Sequence, residues 1–207
     1  GKDHWQYPPM ADNWMLPYTD ERCVEVRTVT NCDSVKLFGP HWDGTMKDFG
    51  FRKTADYDNN TIIWNQPYRK DRIVYAIAYK DGVEVCRDTL QAHTEAVRVE
   101  LEPDVTTIKA DGQDLSHIKL TLYDANGIEA QADNRVVSVK VRGEGLFRCL
   151  DTGDLRREGS FAGNTIKTYF GKALIVVQST PNAGEMEVEV TVEGFDKPFI
   201  IPIKTMN

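Results

Sequence analysis

The chain is expected to be all-β, folded as two β-sandwiches in tandem, on three observations. Short runs of alternating apolar and polar residues recur along its length. Turn-forming residues separate them at intervals of about 8–12 residues, the spacing of sandwiches and barrels. No stretch long enough for an ordinary helix combines helical spacing with capping residues.

The first set of runs lies between residues 20 and 93. Cys23-Val-Glu-Val-Arg-Thr-Val-Thr30, Ser34-Val-Lys-Leu-Phe38, Ile73-Val-Tyr-Ala-Ile-Ala-Tyr79 and Val83-Glu-Val-Cys-Arg-Asp-Thr-Leu90 alternate with period two. That period places successive side chains on opposite faces of a half-buried strand. Lys80-Asp81-Gly82 joins two of them, and Asp-Gly suits a two-residue hairpin because both positions tolerate positive φ. The second set occupies 95–207. It contains Val97–Leu101, Ile118–Tyr123, Val136–Val141, Ala173–Gln178 and Met186–Val192, with Asp124-Ala-Asn-Gly127 as the matching turn. Between the sets lies the polar connector Ala92-His-Thr-Glu95. Residues 1–19 differ from both: Trp5, Tyr7, Trp14 and Tyr18 stand among three prolines without periodicity. They are expected to form an ordered but irregular lead-in.

Composition excludes several classes of function. The net charge is −7, which argues against nucleic acid, whose affinity comes mainly from Lys and Arg neutralising phosphates. Short basic groups such as Arg69-Lys70-Asp71-Arg72 are interrupted by acids and read as solvated loops. The longest apolar run, Ala173 to Val177, is strand-length, far below the ~20 residues of a spanning helix. The opening Gly1-Lys2 reads as a chain that begins mid-protein or was processed.

The four cysteines, Cys23, Cys32, Cys86 and Cys149, form no CxxC pair, so a zinc site is not expected. Each alternates with apolar neighbours, which favours mostly buried, reduced thiols; a single disulfide stays open as the alternative. The histidines, His4, His41, His93 and His117, stand alone, and neither an H-E-x-x-H nor a G-x-S-x-G motif occurs. Asp56-Tyr-Asp-Asn-Asn60 begins like a calcium loop but has Thr61 where glycine is needed and Pro67 where glutamate is needed. Asp151 and Asp154, flanking Gly153, are the remaining weak candidates for a hard cation, against the simpler reading of a turn. No cofactor is implied. For carbohydrate contact the candidates are Trp5, Trp14, Trp42, Trp64 and Tyr68, since exposed aromatic faces stack on sugar rings. Core or interface packing is the competing use of the same residues.

Two groups of residues carry a family resemblance. Ile108-Lys-Ala-Asp-Gly-Gln-Asp114, Leu120-Thr-Leu-Tyr-Asp-Ala-Asn-Gly127 and Val137-Ser-Val-Lys-Val141 resemble a bacterial immunoglobulin-like repeat. With Asp133-Asn-Arg-Val136, Asp151-Thr-Gly-Asp154, Ser160-Phe161 and Gly171–Gln178 in that order, they are similar to the last domain of bacterial β-galactosidases of glycoside hydrolase family 2. Thr30–Phe38, Ala76–Val85 and His4-Trp5 with Tyr7 resemble the small sandwich that follows the catalytic barrel in those enzymes. The chain departs from the family after Phe38. A short Asn-Gly-Lys turn is replaced by Gly39-Pro-His-Trp-Asp-Gly44 and a segment reaching about Asn60.

The resemblance implies two tandem immunoglobulin-like β-sandwich domains and a non-catalytic C-terminal accessory role. The family's catalytic glutamates belong to a barrel of about 250 residues, which this chain is too short to contain. The implied partners are N-terminal catalytic and sugar-binding domains of the same polypeptide, with carbohydrate a further candidate, and no nucleic acid or membrane span. The implied location is periplasmic or secreted. A carbohydrate-binding module and a spacer of a surface adhesin are the alternatives. A row of exposed aromatics would favour the first of these, and few aromatics on any face the second.

Overall fold

The computed structural model describes residues 11–16, 22–156 and 160–207. The chain is all-β: among the described residues it has fifteen strands, two isolated 3-10 turns and no α-helix. It separates into two compact units, one ending at Ala92 and one running from His93 to Asn207.

The first unit contains β1 (Cys23–Val29), β2 (Ser34–Pro40), β3 (Met46–Lys53), β4 (Thr61–Pro67), β5 (Val74–Lys80) and β6 (Val83–Leu90). β1 pairs with β4 in a two-stranded sheet, and the other four lie in the order β3-β2-β5-β6, all antiparallel. The inward half of each alternation supplies the core: Val24 and Val26, Val35 and Leu37, Ile62 and Trp64, Val74 and Ala78. Trp14, Cys32 and Tyr68 complete it.

The segment after Phe38 is a hairpin. Pro40 still belongs to β2, and the chain reverses at His41–Thr45, where the His41 and Gly44 amides donate to Thr45 O and His41 O. The returning strand β3 hides its phase in the sequence. Lys36 faces Phe51 and Phe38 faces Asp48, so two residues of β3 oppose Leu37 in a bulge, with Gly50 at φ +82°. An extra residue reverses which side chains point inward. Phe49 packs against the core while Phe51 is exposed.

The β5–β6 turn has Asp81 at φ 52° and Gly82 at φ +77°, the double positive φ of a type I′ hairpin. The Asp124–Gly127 turn differs from expectation at one position. Gly127 has φ +77°, but Asn126 is not left-handed. Gly127 N donates to Asp124 O and Asp124 N to Ile128 O, giving a longer hairpin loop with a single left-handed glycine. No atom outside the turn would crowd a Cβ at Gly82 or Gly127, so substitution there costs backbone strain alone. Gly82→Val and Gly127→Val are each expected to destabilise by about 1 kcal/mol or more. Melting temperatures equal to the parent's would contradict this.

The second unit contains β7 (Arg98–Pro103), β8 (Thr107–Lys109), β9 (Leu115–Tyr123), β10 (Val136–Gly143), β11 (Gly145–Asp151), β12 (Thr165–Lys167), β13 (Lys172–Ser179), β14 (Gly184–Val192) and β15 (Phe199–Met206). They form a five-stranded sheet, β12-β10-β14-β15-β8, and a four-stranded sheet, β11-β13-β9-β7. Among the described residues only β15 and β8 pair in parallel. One core lies between the sheets. Ile118, Leu120 and Leu122 with Ala173, Ile175 and Val177 come from one side, and Val137, Val139, Met186, Val188, Val190 and Ile203 from the other.

The expectation of mostly buried cysteines needs correction. Cys32 is buried and Cys149 half-buried, but Cys23 and Cys86 are exposed. Cys23 occupies the outward phase of β1, where Val24 points inward. Cys86 belongs to an edge strand in which no residue is fully buried.

Candidate functional site

The aromatic candidates for carbohydrate contact divide by burial. Trp64 is 0% exposed. Its indole N–H donates to Thr28 Oγ1 at 3.1 Å, and the Arg52 guanidinium lies 4.3 Å from its ring. Trp14 is 2% exposed, with its N–H donating to Arg69 O at 2.9 Å. The Tyr68 hydroxyl donates to Trp14 O at 3.1 Å, and the two rings lie 5.0 Å apart. Buried Trp and Tyr each place their polar atom on a partner, as desolvation demands. These three are core residues, not sugar platforms. Trp14 also shows that part of the lead-in belongs to the first unit's core; Trp5, Tyr7 and Tyr18 lie outside the described residues.

Trp42 is different. It stands at the tip of the β2–β3 hairpin and is 50% exposed. The tip is held by Asp43, whose carboxylate accepts from the Thr45 hydroxyl and amide and pairs with His41 at 3.3 Å. Those bonds, the Thr45 hydroxyl first, draw the Asp43 pKa down to about 2. Arg72 Nε adds a bond to Gly44 O at 3.0 Å. The hairpin therefore presents one indole on a fixed polar turn.

A second surface was missed by sequence reasoning. In β5 the small residues Ala76 and Ala78 face the core, while Tyr75, Ile77 and Tyr79 point to the other face. There Phe38 stacks on Tyr75 at 4.7 Å, and Phe51 meets Tyr79 edge-on at 5.0 Å. Lys36 Nζ lies 4.9 Å from the Phe38 ring and 5.2 Å from the Phe51 ring, and pairs with Asp48 at 2.7 Å. The hydrogen bond to Asp48 holds the ammonium above its ordinary pKa. A solvated sheet face is normally polar. The signal was present in Tyr75-Ala-Ile-Ala-Tyr79, whose larger apolar side chains occupy the outward phase.

The cation candidates are engaged locally. Asp154 Oδ1 accepts from Arg156 N and Nε at 3.1 and 3.0 Å, and this guanidinium holds its carboxyl below the usual range. Asp151 Oδ1 accepts from Thr152 N at 2.8 Å, and Gly153 has φ +73°. This is turn chemistry. Among the described residues no three His, Cys, Asp or Glu side chains converge as metal ligands would. His93 is buried, with Nε2 accepting from Ala132 N at 2.8 Å and Nδ1 2.6 Å from Thr94 O. His117 pairs with Asp104 at 3.0 Å on the surface.

Comparison with known proteins places these features. Residues 99–200 match the profile of the glycoside hydrolase family 2 C-terminal domain 5. A β-galactosidase of Bacteroides ovatus is 26% identical over 191 residues, which is 92% of this chain and 20% of that protein. A β-galactosidase of Thermoanaerobacter pseudethanolicus is 24% identical, over 92% of this chain and 22% of that protein. The chain thus spans about a fifth of the length of these relatives. A solved glycosyl hydrolase family 2 member from Bacteroides cellulosilyticus superimposes with a TM-score of 0.86 and 31% identity, over 98% of this chain and 25% of that one. No helix among the described residues is long and apolar enough to cross a membrane. Residues 99–200 thus belong to the glycoside hydrolase family 2 C-terminal domain 5, and the chain as a whole resembles the C-terminal part of family 2 members.

Proposed function

We propose that this region serves a β-galactosidase-like enzyme by scaffolding its catalytic barrel, with the outward face of the β3-β2-β5-β6 sheet as the surface that the rest of the polypeptide covers. The observation that carries the reading is the aromatic face built by Phe38, Phe51, Tyr75 and Tyr79. Phe51 is 58% exposed, and exposed apolar clusters of this kind mark interaction surfaces. The occupant is the remaining part of the chain, because the relatives are about five times longer than this region. The carbohydrate-binding module and the adhesin spacer are not favoured. The family resemblance carries with it a periplasmic or secreted location. Trp42 supports a narrower role for the hairpin tip, a wall of the substrate entrance.

The test uses the full-length protein and an aryl β-galactoside. Removing this region is expected to lower thermal stability and turnover together. Phe51→Glu should reproduce much of that loss, because it places a charge in an apolar junction. Trp42→Ala should raise KM while leaving stability unchanged. Parental stability and turnover in the Phe51→Glu enzyme would remove the aromatic face from the scaffold reading.

A further inference from the structure

We propose that Cys32 and Cys86 form a disulfide that fastens the edge strand β6 to the β1–β2 connection. Three observations converge on the pair. Val35, Ala78 and Cys86 lie opposite one another across β2, β5 and β6 and so share one face of the sheet. Val35, Ala78 and Cys32 all belong to the first unit's core, which identifies that face as the inner one. The register of β6 also shifts between the partners of Ala78 and Tyr79, leaving Val85 as an extra residue beside Cys86. Bulges re-aim the side chains next to them.

Cys32 is held from both sides. Its amide donates to Thr30 Oγ1 at 3.0 Å, and its carbonyl accepts from Thr54 Oγ1 at 2.6 Å. Cys86 is the accessible member of the pair. Cys32 lies near enough to act on Cys86: after partial desolvation, it and then Asp88 push the Cys86 thiol above its ordinary pKa. Among the described residues the strand they would secure pairs with β5 alone, and it exposes Val83 and Val85. An uncovered apolar edge is an aggregation hazard that proteins commonly restrain.

The chemistry requires a disulfide oxidant, for which oxidised glutathione serves. Cys86 loses its proton and attacks one glutathione sulfur; a Cys86–glutathione bond forms as the glutathione disulfide breaks and one glutathione thiolate leaves. Cys32, deprotonated in turn, attacks Cys86 Sγ and expels the second glutathione thiolate. The two cysteines are oxidised, one glutathione disulfide is reduced to two thiols, and the protons pass to the departing thiolates. Because the attacking thiol has a raised pKa, the rate increases with pH.

Peptide mapping of the full protein tests the pair. The protein is incubated with oxidised glutathione, unfolded in an alkylating reagent and digested without reductant. The expected product is one cross-linked species joining the Cys32 and Cys86 peptides, which disappears on reduction. In Cys32→Ser, Cys86 should instead accumulate as its glutathione adduct, since no second thiol resolves it. Recovery of both wild-type cysteines as alkylated peptides or as separate glutathione adducts would overturn the proposal, as would a cross-link from Cys86 to any other cysteine.

Discussion

Trp14→Ala is expected to destabilise the first unit by about 3–5 kcal/mol, the range for deleting a large aromatic from a packed core. The indole is 2% exposed, and it packs on Tyr68 at 5.0 Å. Removing it also withdraws one of the two donors to Arg69 O, leaving only the Arg72 amide. The loss should appear in chemical denaturation as a lower midpoint for the first unit, with the second unit's transition unmoved. Trp42→Ala is the matched control: the same side chain is deleted from a half-exposed site, where a change within about 0.5 kcal/mol is expected. Equal effects from the two substitutions would show that Trp14 is not a core residue in solution.

Asp124→Ala is expected to cost the second unit about 3 kcal/mol, because a buried carboxylate there accepts several hydrogen bonds at once. The side chain is 2% exposed. It takes the amides of Thr94, Asn126 and Ile128 at 3.0, 2.8 and 2.9 Å and the Thr94 hydroxyl at 3.3 Å. One carboxylate thus shapes the Asp124–Gly127 turn and anchors the connector that enters the unit. Burial alone would raise its pKa, but these backbone donors outweigh that penalty and hold it below the usual carboxylate value. With the folded pKa below the unfolded one, the stabilisation is complete above the unfolded value and fades as pH falls through the folded value. Asp133 adds to the same acid sensitivity, since Arg135 first and the Ala96 amide next lower its pKa. Denaturation midpoints of parent and variant should therefore differ at neutral pH and converge in strong acid. A gap that is independent of pH would assign the effect to packing instead.

Much of the fold was legible because most strands keep one phase from end to end, as Cys23–Val29 and Gly184–Val192 do. Two of the strands that escaped notice did so for different reasons. In β3 the Gly50 bulge sends Phe49 inward and Phe51 outward, so no fixed period describes it. In β15, Pro202 argues against a strand between two others, because proline lacks an N–H for the ladder. It is tolerated since β8 pairs only with Lys204, Thr205 and Met206, leaving that flank of Pro202 open. For the candidate site, Trp64 shares the inward phase of Ile62, so its burial was readable from the sequence. Trp14 stands in a segment without periodicity, and only tertiary structure shows that it fills the first core. The cysteines show the limit of phase itself: Cys86 faces the core side, yet an edge strand leaves it accessible.

The placement of β15 carries a consequence for biosynthesis. It lies between β14 and β8, joining residues 184–190 to residues 107–109. β15 is translated after every other strand of its unit, so until the ribosome has released it the five-stranded sheet has a gap with unpaired backbone on both sides. Synthesis at about 5–20 residues per second keeps that gap open for seconds after β8 emerges. A nonsense mutation ahead of Phe199 would make it permanent. The truncated product would display two open strand edges and a core lacking Ile203, the features that protein quality control selects for disposal.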